Sequence, residues 1–238
     1  MTNTHPTGGF SRRHILAGLG VGAAAALAGC TTSSRAVVAS FAPQTGPGRR
    51  VSAEYLQAYG PVQDGGYNVP GIDFSRVDPR YLRREVDYFG GETPGTIIID
   101  TPSRFAYLVQ PNERAIRYGV GIGRDGFAWN GRAKVQWKRA WPTWTPPAEM
   151  IQRMPELAEY ADGMEPGLAN PLGARALYLF QNGEDTLYRL HGTPEYWTIG
   201  TASSSGCVRF MNQDIIDLYD RASDGATVIV DQEGSTMV

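Results

Sequence analysis

A mainly β fold carrying a few short helices is what this sequence predicts, and three observations predict it. The chain has 29 glycines and 16 prolines in 238 residues, a turn density that suits strands better than a helical bundle. From Gly95 onward, β-branched and apolar runs alternate with turn-forming peptides. Helical periodicity with well-defined ends is clear in one stretch, which begins at Asn212.

Apolar residues make up 42% and charged residues 19%, too apolar for a disordered chain and too polar for a multispanning membrane protein. Twenty-two basic against 24 acidic side chains give a net charge of -2, which argues against a nucleic-acid binder. The length suits one domain with short appendages.

The first appendage is an export signal, residues 1–29. Arg12-Arg13 heads an apolar, alanine-rich run from Ile15 to Gly29, shorter than the ~20 residues a membrane-spanning helix needs. Paired arginines before a modestly hydrophobic run point to the twin-arginine route. The run ends in Leu27-Ala28-Gly29-Cys30, which resembles a lipobox, with Cys30 as the lipidated first residue after cleavage. The competing reading is an ordinary signal cleaved near Ala36–Ala39. Residues 30–50, rich in Thr, Ser, Ala, Gly and Pro, then form a flexible tether. The expected location is the periplasm, at the end of a lipid anchor.

Residues 51–94 read as an extended arm with one short helix around Pro79–Asp87, and 95–232 as the main domain, followed by a tail at 233–238. Thr96–Asp100 and Arg104–Gln110 are strands joined by a turn at Thr101-Pro102-Ser103, and Ala115–Ile122 continues the meander. Ala176–Phe180 and Thr186–Leu190 flank the turn signal Asn182-Gly183, and Thr227–Val230 is the last strand. The tryptophan- and proline-rich stretch from Gly123 to Gly173 reads as a partly ordered lid with a helix near Ala148–Met154. In the helix after the cysteine, Asn212 serves as cap, Ile215, Leu218 and Tyr219 share a face, and Arg221 lies near the C-terminal end.

Outside the export signal there is one histidine, His191. Outside the signal and lipobox there is one thiol, Cys207. They stand 16 residues apart, each beside glycine, in His191-Gly192-Thr193 and Ser205-Gly206-Cys207. An imidazole can take the proton of a thiol and later return it, and glycine lets backbone amides approach an oxyanion. Singly, each residue reads as an ordinary core side chain. Together they read as a nucleophile and its base. No Cys/His metal cluster and no phosphate-binding glycine loop is present, so neither metal nor cofactor is expected.

His191-Gly192-Thr193, Ile199-Gly200, Ser204-Ser205-Gly206-Cys207-Val208-Arg209 and Asn212 closely resemble the signature of the YkuD-type L,D-transpeptidases, and the likeness extends over about Gly95–Val230. It includes Asn170-Pro171-Leu172-Gly173. One position departs: the family's usual histidine two residues before the cysteine is Ser205 here.

The resemblance implies an L,D-transpeptidase-type β-sandwich, with one helix following the cysteine. It also implies a role for each site residue. Cys207 is the nucleophile, His191 the general acid and base, Gly192 the carbonyl that orients the imidazole, and the Gly206 amide part of the oxyanion hole. The donor is a peptidoglycan tetrapeptide stem that loses its terminal D-Ala. The acceptor is an amine of another stem, giving a 3–3 crosslink, or an amine of a protein, such as one of the outer membrane. Arg209, Ser205 and Trp144 are candidate substrate-binding residues; Arg209 serves equally as a surface ion pair, and Trp144 as a filler of the core margin. Two further readings stay open, a carboxypeptidase with water as acceptor and a non-catalytic wall-binding module.

Overall fold

The computed structural model describes residues 51–123, 129–204 and 206–232. The export signal, Cys30, the tether, Ser205 and the tail at 233–238 lie outside the described residues.

Segment 51–94 holds more structure than an extended arm. Ser52 accepts from the Tyr55 N–H and starts α1 (Ala53–Ala58). β1 (Val62–Asp64) and β2 (Tyr67–Val69) pair around Gly65-Gly66, both at positive φ, as a tight hairpin demands. The helix expected around Pro79–Asp87 does not form. Asp78 caps a single 3-10 turn at Pro79–Tyr81, and Arg84–Asp87 is β3. So short a helix is marginal by itself, whereas a strand finds partners on the neighbouring sheet.

β4 (Ile97–Asp100), β5 (Phe105–Gln110) and β6 (Arg114–Gly123) form the expected meander, and β3 adds to β6. β7 (Gly131–Ala140) lies inside the stretch read from sequence as lid. Its alternation is real, with Ala133 and Val135 buried between exposed Arg132, Lys134 and Gln136, but neighbouring tryptophans and charges mask it. The lid therefore begins at Trp141. It holds α2 (Ala148–Arg153), close to the helix expected there, and a 3-10 segment at Pro155–Tyr160.

β8 (Arg175–Gln181) and β9 (Glu184–Thr193) form the hairpin that Asn182-Gly183 foretells, with both turn residues at positive φ. β10 (Ala202–Ser204), β11 (Val208–Met211), α3 (Asn212–Arg221) and β12 (Thr227–Asp231) complete the chain. Met211, not Asn212, occupies the cap position of α3, and the Asn212 side chain accepts from the Ala174 N–H at 2.9 Å instead.

The mainly β fold expected from the sequence is what forms. The strands run β10-β6-β11-β9-β8-β7-β12-β4-β5, and β5 pairs back onto β6, so eight strands close on themselves. The enclosed core holds Ile97, Leu108, Val120, Leu177, Leu190 and Phe210, and α3 adds Ile215 and Leu218. Burying each such side chain stabilises the fold by roughly 1.5–3 kcal/mol before entropy is counted. A second core forms where Tyr59, Tyr81, Leu82 and Tyr88 of the N-terminal segment cover Ile98, Phe105 and Tyr107. That segment is also tied to α3. The Tyr59 hydroxyl donates to the buried Asp214 carboxylate at 2.9 Å and accepts from the Arg83 N–H at 2.5 Å. Burial pushes the Asp214 carboxyl up to about 7, against the pull of Arg83 and of the Tyr59 hydrogen bond.

Candidate active site

Parallel pairing of β9 with β11 puts the two motifs side by side, in the register Leu190↔Val208, His191↔Arg209 and Gly192↔Phe210. Leu190, Val208 and Phe210 point into the core. Period two therefore turns Arg189, His191 and Arg209 to the opposite face. Cys207 precedes Val208 by one residue, just outside the paired register, and lies near Arg189 of β9. Beyond β9, β8 contributes Ala176 opposite His191 and Tyr178 opposite Arg189.

His191 is buried, and its Nδ1 lies 2.6 Å from the Gly192 carbonyl oxygen. A carbonyl only accepts, so Nδ1 carries the proton and Nε2 holds a lone pair. The Pro171 carbonyl lies near the same imidazole and works to raise its basicity. Burial still prevails and pushes the imidazole down to about 4, helped by the guanidinium charges of Arg209 and Arg189.

The Cys207 sulfur lies 3.8 Å from the Leu187 carbonyl oxygen, which accepts from the thiol. Burial pushes the thiol above its ordinary range, while the Arg189 N–H and guanidinium pull it down. At neutral pH the site thus rests as a thiol and a neutral imidazole, not as a preformed ion pair. Leu187 belongs to a bulge in which β8 and β9 lose register between Tyr178↔Arg189 and Phe180↔Asp185. Its φ of 59° is unusual for a bulky residue, and its side chain is 77% exposed.

The glycines fit this geometry. Gly206 has a φ of 140°, and a Cβ built there meets nothing within 4 Å, so the backbone before the thiol faces open space. Gly173 and Gly192 have the opposite environment, because a Cβ on either would come within 2.3 Å of the Asn212 Oδ1. Asn212 thereby wedges the strand of His191 against the start of β8.

The lid is held from both ends. Asn170 is fully buried, and its Nδ2 donates to the carbonyls of Pro142, Met164 and Glu165 while its Oδ1 accepts from the Leu172 N–H. That leaves Pro171 fixed against His191. Trp141 stacks near Tyr67 with ring centroids 4.1 Å apart and donates to Asp64, which also takes a bidentate pair of hydrogen bonds from Arg175. Trp144 is half-buried and packs with the lid's own Met164 and Tyr160. Arg209 is 7% exposed and pairs with the exposed carboxylate of Glu195 at 3.6 Å.

Sequence reasoning misses Arg189 and Leu187, whereas Asn170 and Pro171 fall in the Asn170–Gly173 stretch of the family likeness. Period-two alternation from His191 would have found Arg189. The Leu187 carbonyl and the lid contacts depend on a bulge and a long-range closure that no local pattern marks.

The depressed imidazole makes a pH prediction. A base with its pKa lowered stays deprotonated to lower pH, so thiol activation should persist down to about 4, the value to which His191 is pushed. Rates of covalent acylation of Cys207, followed by intact mass from pH 3.5 to 8, should show an acid limb there. A limb at the ordinary histidine value of ~6.5 would show that burial does not depress the imidazole, and a limb that His191→Ala leaves in place would show that His191 is not the controlling base.

The comparisons with known proteins bear on the family. Over 137 residues the chain is 35% identical to the probable L,D-transpeptidase YbiS of Escherichia coli K12, covering 56% of this chain and 43% of that protein. The chain thus spans less than half the length of that relative. Among solved structures, one titled as a probable carnitine operon oxidoreductase caia from Brucella melitensis is 47% identical, covers 62% of this chain and 91% of that one, and has a TM-score of 0.46. An L,D-transpeptidase from Mycobacterium smegmatis is 18% identical, covers 57% and 58% of the two chains, and has a TM-score of 0.40. At those TM-scores the structural likenesses add nothing to the assignment, and the activity in the first title stays with that protein. The model of the L,D-transpeptidase catalytic domain family, YkuD, matches residues 94–230, more than half of the sequence and the whole stretch that carries His191 and Cys207, and to that family the chain belongs.

Proposed function

We propose that the protein is a peptidoglycan L,D-transpeptidase that uses Cys207 as its nucleophile. The observation that supports this reading is the parallel register of β9 and β11, which runs the His191 and Cys207 motifs side by side, with the imidazole held neutral and Nδ1 engaged by Gly192.

His191 Nε2 takes the thiol proton as the sulfur attacks the carbonyl of the third stem residue at its L-centre. The Gly206 and Cys207 amides stabilise the tetrahedral oxyanion. The C–N bond to D-Ala breaks, the leaving amine takes the proton from the imidazolium, and a thioester remains. An acceptor amine then attacks the thioester and gives a proton to His191. The C–S bond breaks, and the imidazolium returns the proton to the thiolate. Arg209 and Ser205 bind substrate in this scheme, with Arg209 exchanging Glu195 for a stem carboxylate, and Trp144 walls the donor groove.

Incubation with purified disaccharide-tetrapeptides tests the reading. Release of D-Ala together with 3–3 dimers is the expected result. Release of D-Ala with tripeptide alone would make the enzyme a carboxypeptidase, and no release would end the enzymatic reading. The proposed location is the periplasm, with the chain exported through its twin-arginine signal and anchored by lipid at Cys30, within reach of the wall and of proteins of the outer membrane as acyl acceptors. Fractionation is the check: wild type should partition with membranes and Cys30→Ala with the soluble fraction, and equal solubility of the two would refute the anchor.

A further inference from the structure

The face that carries Cys207 holds a second set of side chains that acyl transfer leaves unused. The strand pairs Trp137↔Tyr178 and Tyr178↔Arg189 set three side chains in a row across β7, β8 and β9, and Cys207 stands at the end of that row. The Trp137 and Tyr178 rings are stacked, with centroids 3.5 Å apart and planes 11° from parallel. The Arg189 guanidinium lies 4.5 Å over the Tyr178 ring and is fixed by two hydrogen bonds to Asp185, at 2.6 and 2.7 Å. Tyr178 is therefore held on both sides. Trp137 is not: it is 41% exposed, and among the described residues the segment before β12 bonds to β7 only as far as Val135, so the indole face turned away from Tyr178 lies beyond that pairing.

The spacing suggests what that face meets. Neighbouring strands lie ~4.8 Å apart, so three steps place Trp137 about 14 Å from Cys207. In a donor stem, three residues separate the attacked carbonyl from the sugar that bears the stem. At ~3.3–3.6 Å per extended residue, plus ~2.5 Å for the γ-linkage of the second residue, they span about 13 Å. The intervening floor carries Arg189, paired with Asp185, and Arg139 lies beside Tyr178 as a further cation along the path of an anionic peptide. A rigid, open indole suits the apolar face of a pyranose.

We propose that Trp137, backed by Tyr178, is a glycan subsite that stacks on the aminosugar carrying the donor stem. The proposal rests on the transpeptidase reading above and adds a preference for stems still attached to glycan. Two measurements test it. In the first, kcat and KM are compared for disaccharide-tetrapeptide and for free tetrapeptide. Trp137→Ala should raise KM about tenfold for the sugar-bearing substrate alone, with kcat unchanged, and Trp137→Phe should retain most of the preference. An equal effect on both substrates, as loss of a merely structural cross-strand pair would give, or no effect at all, overturns the subsite. The second measurement needs no turnover: Cys207→Ala protein is titrated with the free disaccharide, and the indole N–H resonance that Trp137→Phe removes is followed by NMR. Movement of that resonance supports the subsite even if wild type turns over neither substrate, in which case only the transpeptidase reading fails. A resonance that stays fixed overturns it.

Discussion

Cys207→Ala should abolish covalent modification by a carbapenem, the drug class to which the family resemblance implies susceptibility. The experiment is best run in a Cys30→Ala background, where Cys207 is the only thiol left in the sequence. Wild-type Cys207 should gain one adduct by intact mass, and the Cys207→Ala variant none. His191→Ala should slow the reaction by about 10²–10⁴-fold, the usual cost of removing a general base. The loss should be large here because burial holds the thiol above its ordinary range, so little thiolate exists near neutral pH without help. Raising the pH should restore part of the rate of His191→Ala, since hydroxide then takes the proton, while wild type should gain much less over the same range. An adduct on Cys207→Ala, or a His191→Ala variant that reacts at the wild-type rate, would remove the proposed nucleophile and base.

Gly173→Ala should be nearly as damaging, although Gly173 touches no substrate in the proposed scheme. Its φ is 62°, and a Cβ there would lie 2.3 Å from the Asn212 Oδ1, 2.7 Å from the Gly192 carbonyl carbon and 2.8 Å from the Thr193 nitrogen. Two of these neighbours are backbone of the strand that bears His191, so relief requires that strand to move. A shift near 1 Å in a reacting group costs about 10²-fold in rate, and the strain should remove about 2–4 kcal/mol of stability. Gly225→Ala is the control. It has a similar φ of 80° and nothing within 4 Å, so it should lose only the left-handed backbone penalty of ~1 kcal/mol and react normally. Urea unfolding and acylation rates of the two variants check this. Equal behaviour of both would mean that the strand of His191 is not held by this contact.

Much of the fold is legible in local pattern. The runs at 97–100, 105–110 and 175–181, with the Asn182-Gly183 turn, carry their strand assignment in β-branching, alternation and left-handed turn chemistry, all set within a few residues. β7 and β3 are less legible because their partners, not their own propensities, decide them. Gly131–Ala140 becomes a strand through pairing with β8 and β12, and Arg84–Asp87 through pairing with β6. Asn212 reads as a helix cap, yet the packing of Gly173 and Gly192 around its oxygen takes it for another task.

By itself the sequence determined the mainly β class and the family, and it pointed to His191 and Cys207 as candidates, because each is written in neighbouring residues whose chemistry needs no distant partner. Only the tertiary structure decided how that pair is set. Parallel pairing of β9 and β11 runs the two motifs side by side, and burial lowers the imidazole while raising the thiol. The lid folds back until Asn170 fixes Pro171 against His191, and the bulge at Leu187 brings a carbonyl to the sulfur. Solvent exclusion and strand register are properties of the closed sheet as a whole, so no segment read alone contains them.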